Sequence, residues 1–559
     1  MKFSLTVSAL LQGAAVIAMP AANHSENDLV RRATSFWYAN MDHTGNARGY
    51  APDLDPDFSY PVFMAATAGD GASIQRAINA GSNGASRHSQ WLASQPRVVY
   101  IPPGTYTVSQ SIKMNTDTIL MGDATNPPII KASSSWSGEA RLVNGQDPGT
   151  GESGELSFAV GLKNLVLDTT SIPGGNAFTA LYWGVAQAAQ LQNVRITMAS
   201  SVNGQGHTGI ELGRGSTLGL ADVRVERGQN GIWHNGHQQA LYKSIYFFQN
   251  TVGMLITGAS TVSIIAPTFD TCGTGVHHTS GSAPWIGLID AKSVNSGVTF
   301  VTDVTRTPTQ TSPGSPPVRC SALRAMSTSS PMETRLDATR SMARPHPPVS
   351  ALLPWHRMAT TPCSPLPTMP TTPSRISSMS RIQLRMAAAR SWAITRSMSQ
   401  ASLNQILQFA AANNKIAYFP FGKYRVDSTL LIPKGSRIVG EAWATITGNG
   451  PFFKDANNPK PVVAVGNGGD VGTAQIQDMR FTVSDVLPGA IIVQFNMAGS
   501  SPGQVALWNS LVTVGGTLGA SALTNSCNDP SNECKAAFIG MHFAPTSSVY
   551  VEVSFLIPS

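Results

Sequence analysis

Leu162-Lys163-Asn164-Leu165-Val166-Leu167 is the stretch that decides the fold, because its pattern recurs at Leu191–Ile196 and at Leu220–Val225, each time 29 residues later. Each copy is a short strand with period-2 alternation and a turn, and such a unit cannot bury its inner face alone. Stacking of successive units solves that problem. The step, the β-branched strands and the lack of helical periodicity favour a parallel β-helix over leucine-rich or propeller repeats.

The same repeat makes two further predictions. Asn164, Asn193 and Asp222 should stack on adjacent coils, as a polar ladder or a turn. Leu241–Tyr246 and Val262–Ile265 continue the series at a shorter step of 21 residues.

A longer repeat points to two β-helices. Val98–Val108 (VVYIPPGTYTV) aligns with Ile416–Val426 (IAYFPFGKYRV) at an offset of 318, which Gly122 and Gly440 share. Short amphipathic helices, Ser73–Asn79 and Ser402–Ala412, precede the two copies and should plug the ends of the solenoid cores. We predict an all-β protein of tandem right-handed parallel β-helices, a pectate-lyase-like solenoid whose second member is incomplete.

The N-terminal residues have the features of a targeting signal. Residues 1–18 are typical of a secretory signal peptide, since Lys2 precedes an apolar run too short to span a membrane. Residues 19–32 resemble a propeptide that ends in Arg31-Arg32, although a solvated charge pair would look the same. We expect a secreted, extracellular protein with one β-helix at 33–302 and a second, truncated one at 401–559.

Residues 303–400 fit neither domain. They hold 12 Arg, no Lys and three acids, a net charge of +9 in a chain that totals +7, so the remainder carries −2. The basic balance therefore does not indicate nucleic-acid binding. Eight Met and many Arg are wrong for a mucin-like linker. We interpret this segment as a frameshifted or mis-spliced reading frame and expect it to be disordered.

The positions of the cysteines and histidines bear on cross-links and metal sites. Cys527 and Cys534 flank a turn-rich loop and are interpreted as a disulfide. No Cys or His pair follows them at zinc spacing, so we expect no metal. We expect solvent-facing or hydrogen-bonded loop residues at four histidine positions: His234, His237, His277 and His278.

Longer runs resemble a known family. Tyr418–Val426, Gly435–Trp443 and Pro461–Val463 resemble the second β-helix of glycoside hydrolase family 55, whereas Trp183–Gln187 and Asn230–Gln239 resemble the first. The similarity covers about residues 35–302 and 400–552 and is strongest to fungal endo-acting members. The resemblance implies inverting hydrolysis of β-1,3-glucan, without a cofactor, in a cleft between two β-helices lying side by side.

The resemblance also suggests site residues. Inversion needs an acid and a water-activating side, with carboxyls about 6.5–9.5 Å apart. The family's acid is a glutamate on later coils that this chain does not reach, so we expect little or no activity. Gln187 matches a family glutamine that helps to hold the attacking water, unless it is only a rung amide, and Ser216 is a weaker candidate. Glu211 and Asp270 are the carboxylates to examine near the cleft, although surface turns hold many acids.

Aromatic residues complete the candidates. Trp183, Trp233 and Trp285 could stack on sugar faces, although solenoid loops also bury aromatic residues as caps. We expect a monomer whose partner is β-glucan rather than nucleic acid or a membrane. A pectin-cleaving enzyme shares the fold, but we expect the Asn-Thr-Asp, Asp-Asp and Gly-His-Gly motifs of such enzymes to be absent here. A non-catalytic glucan-binding or cell-wall protein stays open.

Overall fold

The computed structural model describes residues 36–40, 43, 62–80, 96–151, 153–279, 285–303, 400–515, 534–552 and 555–557, with Leu523 and Cys527. The expected signal peptide and propeptide-like segment lie outside the described residues. So does the anomalous segment, apart from Asp303 and Gln400. Neither helix in the described ranges is long and apolar enough to cross a membrane.

The first β-helix is three-sided, and its named strands pair in parallel. Face A contains β1 (Phe63–Ala65), β2 (Arg97–Ile101), β5 (Thr118–Gly122), β8 (Gly161–Asp168), β10 (Ala189–Thr197), β12 (Thr217–Glu226), β13 (Asn230–Lys243), β15 (Val252–Ile265) and β18 (Trp285–Ile289). Face B contains β3 (Thr105–Val108), β6 (Ile129–Ala132), the second halves of β8, β10 and β12, and β14 (Tyr246–Phe248), β16 (Thr268–Asp270) and β19 (Lys292–Val294). Face C contains β4 (Ile112–Lys113), β7 (Arg141–Asn144), β9 (Thr179–Tyr182), β11 (Thr208–Leu212), the first halves of β13 and β15, and β17 (Thr274–His278) and β20 (Val298–Thr302).

The second β-helix repeats this plan. Its face A contains β21 (Ile416–Phe419), β24 (Ser436–Gly448), β26 (Ala474–Val483), β28 (Val505–Trp508) and β31 (Tyr550–Glu552). Its face B contains β22 (Lys423–Val426), the second halves of β24 and β26, β29 (Leu511–Thr513) and β32 (Phe555–Ile557). Its face C contains β23 (Leu430–Ile432), β25 (Lys460–Val465), β27 (Ala490–Phe495) and β30 (Ile539–Phe543). The predicted fold class, tandem parallel β-helices, is confirmed.

Both predicted helices are present. Helix α1 (Gly71–Asn79) begins after Asp70, whose carboxylate accepts the backbone N–H groups of Ala72 and Ser73 as an N-cap. It buries Ile74 and Ile78 in the first core. Helix α2 (Gln400–Ala412) likewise buries one apolar face in the second core. Each helix therefore covers apolar surface that a β-helix alone would leave exposed.

The predicted polar ladder exists, and backbone geometry explains its composition. Asn164, Asn193 and Asp222 lie at the corner between faces A and B on successive coils, all with φ between 52° and 55°. Asn and Asp tolerate this left-handed conformation better than other residues with a Cβ. The Asn193 side chain donates to Asn164 Oδ1 at 2.8 Å. The ladder thus turns each coil and links it to the next.

The shorter step of 21 was wrong by one residue. Leu220 pairs with Tyr242, and Tyr242 pairs with Ile264, so the step is 22. Because strand side chains alternate between faces, a slip of one residue exchanges inside and outside. Tyr242 is therefore fully buried, whereas Leu241 is only partly buried.

The 318-residue repeat reflects the same contacts made twice. The Tyr106 hydroxyl donates to Pro102 O and the Tyr424 hydroxyl to Pro420 O, both at 2.8 Å. A Cβ at Gly122 or Gly440 would lie 2.0 or 2.2 Å from a carbonyl oxygen of the next coil, so only glycine fits there.

The two β-helices pack with their A faces together. The seam is a cluster that includes the buried rings of Trp37, Tyr100, Tyr418 and Trp443. At its edge, Lys163 Nζ contacts both carboxylate oxygens of Asp478 at 2.7 Å. Removing one partner of such a buried pair typically costs about 3–5 kcal/mol. The contacts at the seam therefore hold the corners next to face A in a fixed position relative to the second β-helix.

Candidate active site: a corner and a groove on the first β-helix

Gln187 and Ser216 occupy equivalent positions on adjacent coils, immediately before β10 and β12. Ala189 pairs with Leu218, which sets the two residues one coil apart. The loops that carry them turn the same corner, from face C to face A, and Ser216 N donates to Val185 O at 3.2 Å. Ala188, beside Gln187, is buried in the seam. The structure thus brings both candidates together at the edge of the interface between the β-helices.

Two unpartnered polar atoms mark this corner. Gln187 Oε1 and Ser216 Oγ are buried and have no hydrogen-bond partner among the described residues. Leaving such an atom unpaired costs about 1–3 kcal/mol. Adjacent coils lie about 4.8 Å apart, so the two side chains belong to neighbouring positions of one stack. The Gln187 amide oxygen therefore does not behave as a rung amide that satisfies the backbone.

The Glu155 carboxylate contacts the residue that follows Gln187 and Ser216 at the equivalent position of the next coil. Gln238 follows Ser216 by one further coil, as the pairing of Thr217 with Gln239 shows. The Gln238 amide donates to Glu155 Oε1 at 2.6 Å, and Glu155 is exposed. Sequence reasoning missed this pair because 83 residues separate the two positions.

A polar groove opens around the corner on face C. Tyr182, Glu211 and Trp233 are in register there on three successive coils. The Glu211 carboxylate accepts from Thr179 Oγ1 at 3.4 Å and from Asn235 Nδ2 at 3.3 Å. Besides Tyr182 and Glu211, the residues that line the groove include Arg141, Asn144, Asp147 and Arg214. The groove offers donors and acceptors suited to a polyhydroxylated ligand.

Glycines let Tyr182 lie against the groove wall. A Cβ at Gly213 would lie 2.2 Å from the Tyr182 hydroxyl oxygen, and one at Gly184 would lie 2.9 Å from its ring. The guanidinium carbon of Arg141 sits 3.8 Å from the ring centroid. Burial raises the pKa of Tyr182, so its hydroxyl keeps its proton. Sequence reasoning missed Tyr182, although these two glycines were an available signal.

The tryptophan candidates differ in exposure. Trp183 is fully buried in the first core against Gly145, so its assignment as a sugar-stacking residue was wrong. Trp233 is half-buried beside Glu211, and its indole N–H donates to Thr257 Oγ1 at 2.9 Å. Trp285 is 45% exposed, but it lies on β18 of face A rather than on the groove.

Asp270 does not lie near the cleft. It ends β16 on face B, where its carboxylate accepts from the Tyr246 hydroxyl and from Thr271 Oγ1. Glu211 and Asp270 lie on different faces of the coil and do not form a catalytic pair. The placement of Asp270 near the cleft was therefore wrong.

The histidines are hydrogen-bonded, as expected, but they are strand residues. His234 and His237 are fully buried in β13, where His234 Nδ1 lies 2.7 Å from the Tyr242 hydroxyl and His237 Nε2 lies 3.1 Å from Val185 O. Burial lowers the pKa of each to about 4. His277 and His278 belong to β17. The Tyr242 hydroxyl and main-chain carbonyls contact both ring nitrogens of His234 and Nε2 of His237, whereas His237 Nδ1 has no hydrogen-bond partner among the described residues. The lowered pKa leaves both rings uncharged at neutral pH.

Two other sequence motifs lie where they have a structural role. The sulfur atoms of Cys527 and Cys534 are bonded, with Cα atoms 5.4 Å apart. The expectation that no Asn-Thr-Asp motif occurs was wrong, because Asn115-Thr116-Asp117 is a triplet of this kind. All three residues are at most 2% exposed, and Asp147 accepts the Thr116 N–H, so the triplet cannot contact a polysaccharide.

Comparisons with known proteins fit this architecture. A family model described as rhamnogalacturonase A/epimerase, pectate lyase-like, matches residues 67–277. The chain is 58% identical to glucan endo-1,3-beta-glucosidase BGN13.1 of Trichoderma harzianum, over 99% of this chain and 74% of that protein.

Two more distant relatives carry different names. Non-secreted LysM effector LysM19 of Penicillium expansum is 28% identical over 95% of this chain and 46% of its own length. Glucan 1,3-beta-glucosidase of Cochliobolus carbonum is 27% identical over 89% of this chain and 67% of its own. On the 58% identity and the shared fold, the chain belongs to the family of fungal β-1,3-glucanases with pectate-lyase-like β-helices that its sequence resembles, glycoside hydrolase family 55.

Proposed function

We propose that this protein acts on β-1,3-glucan by inverting hydrolysis, with Gln187 and Ser216 holding the attacking water. The observation that carries the proposal is the pair of buried, unpartnered oxygens one coil apart at the corner. Two of the three relatives above are named as glucan 1,3-beta-glucosidases. A neutral polysaccharide is the substrate class that these observations favour.

The corner can orient water without ionising it. Gln187 Oε1 accepts one O–H of the water, and Ser216 Oγ pairs with the other hydrogen or with a lone pair. The remaining lone pair then points away from the protein, toward a sugar ring that lies across the corner. Fixing that orientation contributes to rate through pre-paid entropy. The attack on the anomeric carbon comes from the face opposite the leaving oxygen, so the product is inverted. As the new bond forms, the bond to the leaving oxygen breaks; the attacking water releases one proton to solvent, and the leaving oxygen takes up one proton from solvent.

Residues on the groove would hold the sugar units next to the corner. Glu211, on the groove, offers a carboxylate that can accept hydrogen bonds from sugar hydroxyls, and Trp233, its neighbour in register on face C, offers a half-buried ring. Both belong to the coils that carry Ser216 and Gln238, on the adjoining face. A glucan chain seated there would run parallel to the solenoid axis, across successive coils.

We also propose that the described residues do not include the general acid. A carboxyl group that donates a proton near neutral pH needs an apolar pocket that disfavours its charge. Glu155 is exposed and Glu211 faces a polar groove, so neither has that environment. Glu552 is buried but contacts the Lys243 ammonium, and a cationic partner favours the charged carboxylate. Lack of acid assistance typically lowers turnover about 10²- to 10⁴-fold. Tight binding with slow turnover of unactivated glucan is the expected behaviour.

Secretion is part of the proposal. Its support is the apolar run after Lys2 and the bonded sulfur atoms of Cys527 and Cys534, which suit an oxidising compartment. The N-terminal sequence of protein recovered from culture medium tests it. A first residue after Ala18 or after Arg32 supports secretion, and recovery of the chain only from cell extract, starting at Met1, contradicts it.

Activity is tested with three substrates. The purified chain should bind laminarin, hydrolyse it slowly, and neither bind nor cleave polygalacturonic acid. An activated substrate, β-laminaribiosyl fluoride, needs no protonation of its leaving group and should be hydrolysed faster than laminarin. Cleavage of polygalacturonic acid would instead establish the pectin-active alternative. Binding of laminarin with no hydrolysis of the fluoride would establish a non-catalytic glucan-binding protein.

A further inference from the structure

Arg141 and Tyr182 form a stacked pair on the groove that no step of the proposed hydrolysis uses. The guanidinium lies 3.8 Å from the centroid of the phenol ring, and Gly184 and Gly213 leave room for that ring to lie along the wall. The ion pair of Arg141 with Glu139 is 3.7 Å long, which exceeds hydrogen-bond distance. The pair is thus held by stacking rather than by a carboxylate.

The stacked pair presents hydrogen-bond donors to the groove. A guanidinium carries five N–H donors in a fixed plane, and stacking on a ring fixes the orientation of that plane. Glu211, one coil beyond Tyr182, supplies acceptors whose hydrogen bonds to the described residues are long, at 3.3 and 3.4 Å. Donors and acceptors on neighbouring coils match the hydroxyl groups of one sugar ring.

The charges in the groove favour a neutral sugar. Arg141 and Arg214 are balanced by Glu211 and Asp147, so the lining carries no net charge. A groove for a polyuronate chain would need an excess of cations to neutralise one carboxylate per sugar. The lining therefore discriminates against pectin-type ligands.

We propose that Arg141, stacked on Tyr182, and Glu211 form a sugar-binding subsite next to the catalytic corner, with neutral β-1,3-glucan as its ligand. The inference rests on the proposed function, because Tyr182 and Gln187 share one coil and Glu211 and Ser216 the next. In this subsite, Arg141 is a specificity-determining residue and takes no part in bond cleavage.

The chain contains a matched control for this proposal. Arg224 lies over Tyr246 at 4.3 Å, a second stacked pair on face B, outside the groove, in which the guanidinium also donates to the Glu226 carboxylate. Isothermal titration calorimetry with laminarihexaose should give a Kd about five- to tenfold higher for Arg141→Met than for wild type. Arg224→Met should stay within about twofold. Arg141→Lys keeps the charge but loses the planar donors, so it should not restore affinity.

Each outcome has a definite meaning. Equal affinities of Arg141→Met and Arg224→Met would overturn the subsite and leave the proposed function standing. Wild-type affinity of Arg141→Lys for laminarihexaose would show that a positive charge at this position is sufficient, and it would overturn the role of the stacked, planar donors. Tighter binding of oligogalacturonate than of laminarihexaose would overturn the neutral ligand. Failure of wild type to bind laminarihexaose would overturn the proposed function together with the subsite.

Discussion

The polar ladder makes the most quantitative prediction about stability. Asn193 adopts φ 52° and donates to Asn164 Oδ1 at 2.8 Å, so it has both a conformational and a hydrogen-bonding role. Asn193→Ala removes the hydrogen bond and forces alanine into the left-handed region. Asn193→Gly removes the same bond, but glycine adopts that region without steric cost.

The two roles have separable magnitudes. A lost hydrogen bond of this kind costs about 0.5–1.5 kcal/mol, and left-handed backbone costs a residue with a Cβ about 1–2 kcal/mol. We expect Asn193→Ala to destabilise by about 2 kcal/mol and Asn193→Gly by about 1 kcal/mol. Ala266 occupies the same ladder position with φ 51°, so Ala266→Asn should stabilise by about 1 kcal/mol.

Differential scanning calorimetry can resolve these differences. In a domain of this size, 1 kcal/mol shifts Tm by about 2–4 °C. The predicted order of Tm is Ala266→Asn, then wild type, then Asn193→Gly, then Asn193→Ala. A Tm of Asn193→Ala equal to or higher than that of Asn193→Gly would refute the reasoning, and so would a Tm of Ala266→Asn below that of wild type.

Three further predictions address the seam, the buried histidines and the corner. Lys163→Met should destabilise by about 3–5 kcal/mol by stranding the buried Asp478 carboxylate, and Lys163→Met with Asp478→Asn should recover more than half of that loss in the same calorimetry. Burial lowers the pKa of His234 to about 4, so the unfolded chain, with an ordinary pKa near 6.5, binds the proton more readily. The contribution of uncharged His234 to the free energy of unfolding should be fully present above pH 6.5 and should fall by up to about 3 kcal/mol as the pH drops toward 4. Tm measured across that pH range should therefore change less for His234→Gln than for wild type. An equal pH dependence of Tm in the two proteins would contradict the assignment. Ser216→Ala should leave Tm unchanged or raise it, because the substitution removes an unpartnered buried hydroxyl. The same variant should hydrolyse β-laminaribiosyl fluoride at least about tenfold more slowly than wild type. A lower Tm with an unchanged rate of hydrolysis would show that Ser216 has a structural role instead.

Local repeats made much of the fold predictable. The 29-residue step placed Asn164, Asn193 and Asp222 on adjacent coils because equal spacing in sequence becomes stacking in a solenoid. The 318-residue offset marked two domains because the Tyr106 and Tyr424 hydroxyls make the same contact. The step after Asp222 was missed by one residue because hydrophobic pattern alone did not distinguish Leu241 from Tyr242 as the inward residue.

Contacts between distant residues were not predictable. Lys163 and Asp478 are 315 residues apart, and the motifs around them do not indicate which residue each would contact. The groove residues Arg141 and Tyr182 belong to neighbouring strands of face C whose register is set by the intervening turns. Trp183 appeared to be a binding residue only because the sequence does not show which side of a corner faces the core.

Proton NMR of β-laminaribiosyl fluoride hydrolysis tests the central claim most directly. The measurement follows both the rate and the anomer that forms first, in wild type and in Gln187→Met and Ser216→Ala. Water held at the corner should displace fluoride with inversion, so α-laminaribiose should appear first and both variants should be slower. A β-anomer as first product, or unchanged rates in both variants, would contradict the account.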